Sequence, residues 1–173
     1  VQLSDNVFDT QVVNAGASTV LGFEVEAQYE ATDDLSLYGS FGFSETEFDE
    51  FVVGVNSQGA ASLHQCSPNT QPDGGPSFLC DFAGNEFGFA PQVTVNAGMT
   101  WRPLEDWIVN LNADHASAAF IRGDRPQTSR DSEARTLVNF RAGWDNDTWG
   151  VFVTGQNIFD DEYLDAQFPN DPL

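Results

Sequence analysis

The sequence predicts an all-β protein, an antiparallel meander forming part of a transmembrane β-barrel with long extracellular loops. Three observations predict it. Apolar and polar residues alternate over unusually long runs, the runs are joined by short turns and long polar loops in turn, and tryptophans gather beside the short turns. Side chains of a strand point to opposite faces alternately, so each run is a ribbon with one apolar and one polar side. Length gives the pattern its meaning: soluble strands are usually about 5 to 6 residues long, and a tilted strand that crosses a membrane needs about 9 to 11.

The stretch Val20 to Phe48 organises the chain. Leu21, Phe23, Val25, Ala27 and Tyr29 take one face, and Gly22, Glu24, Glu26, Gln28 and Glu30 the other. The polar turn Ala31-Thr32-Asp33-Asp34 leads to a second run, with Leu35, Leu37, Gly39, Phe41 and Phe43 opposite Ser36, Tyr38, Ser40, Gly42 and Ser44. A row of Glu and Gln suits a wet barrel lumen, and Leu, Phe and Val suit lipid. A β-sandwich with one solvated face alternates in the same way and stays open on this pattern alone.

Before that hairpin, Val1 to Val13 reads as a strand end running into a loop, closed by the breaker Asn14-Ala15-Gly16. After it come Glu45, Glu47, Asp49 and Glu50, and then the period is lost up to Ala90. Ser57-Gln58-Gly59, Ser67-Pro68-Asn69, Pro72-Asp73-Gly74-Gly75-Pro76 and Ala83-Gly84-Asn85 are loop chemistry throughout. A structureless loop of that length counts against a compact soluble domain, whereas outer-membrane barrels combine long extracellular loops with short periplasmic turns.

Alternation resumes at Pro91. Val93, Val95, Ala97, Met99 and Trp101 oppose Gln92, Thr94, Asn96, Gly98 and Thr100, and the turn 102–106 leads to Trp107, Val109, Leu111 and Ala113. Gly123 to Ser132 is a second polar loop. Thr136, Val138, Phe140, Ala142 and Trp144 then oppose Leu137, Asn139, Arg141 and Gly143, and the turn 145–148 leads to Val151 and Val153. Trp101 with Trp107, and Trp144 with Trp149, bracket the last two short turns, as girdle residues do at a membrane interface.

Composition excludes several classes of function. Six Arg and no Lys stand against 27 acidic residues, for a formal charge of -21. Nucleic acid, which demands a basic patch, is not an expected partner, and a phosphate loop ending in Gly-Lys cannot be written without Lys. Fifteen Phe and four Trp exceed what a disordered chain carries. No apolar run is long enough for a transmembrane helix, which needs about 18 residues. Val1-Gln2-Leu3-Ser4-Asp5 has neither the positive nor the apolar region of a signal peptide, so the chain is expected to begin inside a mature sequence, as a fragment.

Cys66 and Cys80 share one loop. Their spacing leaves a disulfide, free thiols or, with His64, a metal site open; a disulfide between Cys66 and Cys80 is the reading carried forward, with no metal, because a fourth close ligand is missing. Asp145-x-Asp147-x-x-Gly150 imitates the start of a calcium loop, but Trp149 and Gln156 stand where ligands are required, so it reads as a turn. Acidic loop residues such as Glu45, Glu47, Asp160 and Asp161 read as solvated. His115 and Asp114 are neighbours on a strand and point to opposite faces, so they form no relay. No catalytic constellation remains, and neither an enzyme nor a cofactor is expected.

Three segments carry a resemblance. Asn14-Ala15-Gly16 with Gly22-Phe23-Glu24-Val25-Glu26, Phe89-Ala90-Pro91-Gln92, and Asn157-Ile158-Phe159-Asp160-Asp161-Glu162-Tyr163 together resemble the C-terminal part of the barrel of TonB-dependent receptors. The last is similar to the family's N-x-x-D-x-x-Y signature. The resemblance implies that residues 1–173 are a C-terminal barrel segment in the outer membrane of a Gram-negative bacterium. It implies energised uptake of a scarce ligand: a ferric siderophore, a vitamin or an oligosaccharide. Outer-membrane lipid and a small-molecule ligand are the implied partners, with TonB engaged through parts of the receptor outside this chain. No plug domain and no closing strand are read, and such barrels close with about 22 strands against about seven here.

Ligand capture is expected at the loops 45–90 and 123–134. Arg122, Arg125, Arg130 and Arg135, four of the six basic residues, are the candidates for holding an anionic ligand; neutralising nearby acid explains them equally well. The competing readings are a structural or adhesive β-assembly subunit derived from a barrel fragment, and a soluble β-sandwich binding module.

Overall fold

The structure, a computed structural model, describes residues 16–56, 61, 63–70, 75–122, 126–127, 132–146 and 148–163. The strand end read at Val1–Val13 lies outside them. Nine strands occur among the described residues: β1 (Ala17–Thr32), β2 (Leu35–Glu50), β3 (Val52–Val55), β4 (Cys66–Pro68), β5 (Phe78–Asp81), β6 (Val93–Trp101), β7 (Trp107–Ala116), β8 (Arg135–Asp145) and β9 (Gly150–Gly155). Six of them form one open antiparallel sheet in the order β1-β2-β6-β7-β8-β9, and β3-β5-β4 form a small second sheet.

Two sequence expectations are corrected. The stretch 51–90, read as loop throughout, folds into the β3-β5-β4 sheet, because Phe51, Val53, Val55, Phe78, Cys80 and Phe82 pack into one apolar cluster that orders three short strands. Six barrel strands lie among the described residues, and the seventh of the sequence reading is the strand end at Val1–Val13, outside them; the hairpin turn is tighter than read, because Thr32 still belongs to β1 and Asp33–Asp34 alone make the turn.

Short turns hold the meander in frame, and their chemistry is local. Asp34 donates its N–H to Thr32 Oγ1 at 3.2 Å. At the β6–β7 turn Asp106 adopts φ +65°, a left-handed conformation that Asp tolerates better than most residues, and Trp107 N–H closes on Leu104 O at 3.1 Å. Between β8 and β9 the Asn146 Oδ1 accepts the N–H groups of Thr148 and Trp149 at 2.9 and 3.1 Å, an Asx turn. The three turns lie at one edge and touch. Arg102 N–H bonds Asp34 O at 2.8 Å, and Asp145 N–H bonds Asp106 O at 2.8 Å.

Register preserves one face across all six strands. Phe23 pairs with Phe43, Phe41 with Val95, Gly39 with Ala97, Ala97 with Ala113, Leu111 with Phe140, and Ala142 with Val153. Every pair lies on the same side, so the apolar positions of each strand fuse into one continuous surface. No described residue covers it: Phe23 and Val25 are each 58% exposed and Val153 63%. A β-sandwich would lay a second sheet over these residues, and that reading is therefore overturned. Among the described residues the buried apolar side chains, namely Phe51, Val55, Cys80, Phe82, Ala119 and Ile121, lie outside the six-stranded sheet, in the β3-β5-β4 sheet and the segments beside it.

Trp101, Trp107 and Trp144 stand on the apolar face at the short-turn edge. Trp107 pairs with Trp144, whose ring meets Trp149 edge-on at 5.1 Å. Amphipathic indoles at one height are the belt expected where a hydrocarbon layer ends. β1 and β2, at 16 residues each, exceed a membrane crossing by about five residues. That surplus lies at the opposite edge and carries the loops.

Candidate functional site

The polar face of the sheet is a wall of amides, hydroxyls and carboxylates. Asn112 Nδ2 donates to Asp114 Oδ2 at 2.6 Å, Asn96 Nδ2 donates to the other oxygen of Asp114, and Thr100 Oγ1 donates to Asn110 Oδ1 at 2.9 Å. Glu30 accepts from Gln28 Nε2 at 3.1 Å and from Ser36 Oγ. Arg141 lies over the Phe152 ring at 3.9 Å, a cation–π contact. These residues suit water rather than hydrocarbon.

Above the long edge, the loops form an ordered roof. Phe51, Val55, Cys80 and Phe82 are its buried core, with Phe48, Val53, Cys66 and Phe78 packed around it. Phe48 binds the roof to β2: its ring is 4.5 Å from that of Phe51 and 4.6 Å from that of Phe87, and its N–H bonds Asn85 O at 2.9 Å. Cys66 and Cys80 sit directly opposite each other on β4 and β5 and are joined by a disulfide. Neither sulfur is then a thiolate, so the metal alternative with His64 lacks its ligands. Among the described residues no three His, Cys, Asp or Glu side chains gather as a metal site.

The segment 84–92 extends the sheet upward where β6 ends. Gly84 N–H bonds Phe48 O at 2.8 Å, Phe87 N–H bonds the buried Thr46 Oγ1 at 3.0 Å, and Ser44 N–H bonds Gln92 O at 2.9 Å. On its other side Phe89 N–H bonds Phe120 O at 2.7 Å. The second loop is thus attached to the first.

Arg122 and Arg135 come to this shoulder. A Cβ added at Gly88 would lie 2.5 Å from Ile121 O and 3.2 Å from Arg122 Cα, so the backbones of the two loops meet there. Arg135 opens β8, its guanidinium 4.7 Å from the Tyr163 ring centre, and lines a cleft of about 120 Å³ with Phe89, Pro91, Ser132 and Glu133. Arg125 and Arg130 lie outside the described residues. His115 and Asp114 face opposite ways as expected, with His115 Nδ1 2.9 Å from Thr136 Oγ1.

An outward apolar face, a wet inward face, an aromatic belt at the short-turn edge and a folded roof at the other together define a wall segment of an outer-membrane barrel. A family model described as TonB dependent receptor-like, beta-barrel matches residues 1–158. The chain belongs to that family. TonB-dependent receptors are transporters of the Gram-negative outer membrane and not enzymes, which fixes the location and the broad activity of this barrel segment. No solved structure is significantly similar to the chain.

In this TonB-dependent receptor the signature Asn157…Tyr163 is a clasp. Asn157 takes φ +46° and Asp160 φ +53°, and the Asn157 side chain bonds both main-chain groups of Asp161, each at 3.0 Å. Sequence reasoning recognised the motif but not this job. It also missed Thr46 and Gln127, polar residues among many in acidic or Gly-rich stretches, which no periodicity distinguishes from solvated neighbours.

Proposed function

We propose that this segment supplies wall and roof to a receptor that captures a scarce, anionic small molecule, of the ferric siderophore, vitamin or oligosaccharide kind. TonB, engaged by other parts of the receptor, drives its passage inward. The observation that carries the reading is the distribution of charge. A chain with 27 acidic residues places four of its six Arg between 122 and 135, and the two described members of that group lie at the roofed edge, Arg122 where the two loops meet and Arg135 beside a cleft. Guanidinium groups bind carboxylate and phosphate by paired hydrogen bonds. Arg135 is held by the Tyr163 ring at the edge of a cleft, an arrangement that presents a charge at low entropic cost.

A strain lacking the receptor gene, grown with iron chelates, vitamins or glycans as the limiting nutrient, identifies the ligand class by the source on which growth fails. Complementation with the full receptor carrying Arg122→Ala and Arg135→Ala is expected to raise the ligand concentration needed for half-maximal growth at least tenfold. Unimpaired growth of the deletion strain on every source would remove the uptake reading, and full complementation by the double variant would remove the role of the two arginines.

A further inference from the structure

Gln127 occupies an unusual position for a polar loop residue. Its Oε1 accepts the N–H of Glu86 at 2.7 Å, and its Nε2 donates to Glu86 O at 2.8 Å and to Arg122 O at 3.1 Å. One side-chain amide thereby satisfies both main-chain groups of a residue 41 positions away, as the backbone of a neighbouring strand would. Unlike a surface contact, it is part-buried, where a hydrogen bond left unmade costs most.

What Gln127 grips is itself anchored. Asn85 and Phe87, on either side of Glu86, bond Phe48 N–H and Thr46 Oγ1 of β2 at 2.9 and 3.0 Å. On the side of the second loop, Ala119 and Ile121 are buried and Phe120 O accepts Phe89 N–H. We infer that Gln127 is a latch joining the segment 117–122 to the disulfide-bearing roof, so that the two move as one cover anchored on β2. A ligand held by either loop then displaces both, and the Thr46–Phe48 end of β2 carries the displacement to the barrel wall. The latch deepens the reading of these loops as the capture surface, yet its existence does not depend on any ligand.

The test is hydrogen exchange on the full receptor in lipid nanodiscs, without ligand. In the unaltered receptor the amides of Glu86 and Phe89 are expected to be protected. Gln127→Ala is expected to speed exchange of peptides spanning 84–90 and 118–122 at least tenfold, leaving β6, β7 and β5 unchanged. Gln127→Glu keeps an acceptor for Glu86 N–H but loses both donated bonds, so its exchange should fall between the two. Unchanged exchange at 84–90 in Gln127→Ala overturns the latch. So does equal acceleration throughout the sheet, which would make Gln127 a general stabiliser. Because no ligand enters the measurement, a failed uptake experiment and a failed latch experiment remain distinct results.

Discussion

Asp161 accepts the backbone N–H of Thr136 on its carboxylate at 2.6 Å, tying the chain beyond β9 to the upper end of β8. β9 has stopped pairing regularly at Gly155, yet the next residues still follow β8, with Asn157 N–H on Asn139 Oδ1 at 2.9 Å and Ile158 N–H on Val138 O at 2.9 Å. The left-handed turn at Asn157 and Asp160 would leave main-chain groups unsatisfied without the Asn157 amide.

Asn157→Ala is therefore expected to cost about 1–2 kcal/mol, the lower part of the penalty for polar groups left unpaired, because both bonds are part-buried. Asp161→Ala should cost less, because the Thr136 amide it uncovers is near solvent. Denaturant unfolding of the full receptor in detergent checks both values. A cost for Asn157→Ala below that for Asp161→Ala would contradict the clasp.

Cys66 and Cys80 face each other across β4 and β5, with Cys80 fully buried beside Phe51 and Phe82. The bridge closes a loop with a sequence separation of 14, for which chain-entropy reasoning gives about 3 kcal/mol. In a roof sheet of three- and four-residue strands around a small apolar core, that is a large share of the stability. Cys66→Ser with Cys80→Ala is expected to open β3, β4 and β5 to externally added chymotrypsin on whole cells, which should cut at Phe78 or Phe82. The six-stranded sheet should stay intact. Equal cleavage of variant and parent, or loss of the folded barrel altogether, would contradict a local role for the bridge.

The sheet was legible because parity is carried by every residue of a strand. From Leu21 to Val153 the apolar set never slips, so boundaries at Val93, Trp101 and Trp107 could be read directly from the alternation. The roof was not legible for the opposite reason. β3, β4 and β5 are each too short to show a period, and Phe51 and Phe82 are buried by contacts across the loop rather than by a local pattern. At the candidate site, clustering revealed the arginines, whereas Gln127 and Thr46 act through main-chain partners about 40 residues away, which no spacing rule encodes.

Ala97 and Asn96 are adjacent on β6, and the fold predicts opposite responses to the same substitution. Ala97 lies on the outward face between Gly39 and Ala113, in the middle of the apolar surface and several residues from the Trp101 belt. An Arg there must place its charge in hydrocarbon, at a cost of about 2–4 kcal/mol near the bilayer midplane. Asn96 faces the lumen and donates to Asp114. An Arg at this position can still donate to the same carboxylate and remains hydrated, so Asn96→Arg should cost less than about 1 kcal/mol. Refolding the full receptor into lipid vesicles and titrating it with denaturant measures both. Equal costs would mean that the two faces do not separate lipid from water. A larger cost at Asn96 would mean that the assigned faces are reversed, with the amides and carboxylates of β1 to β8 turned toward the membrane.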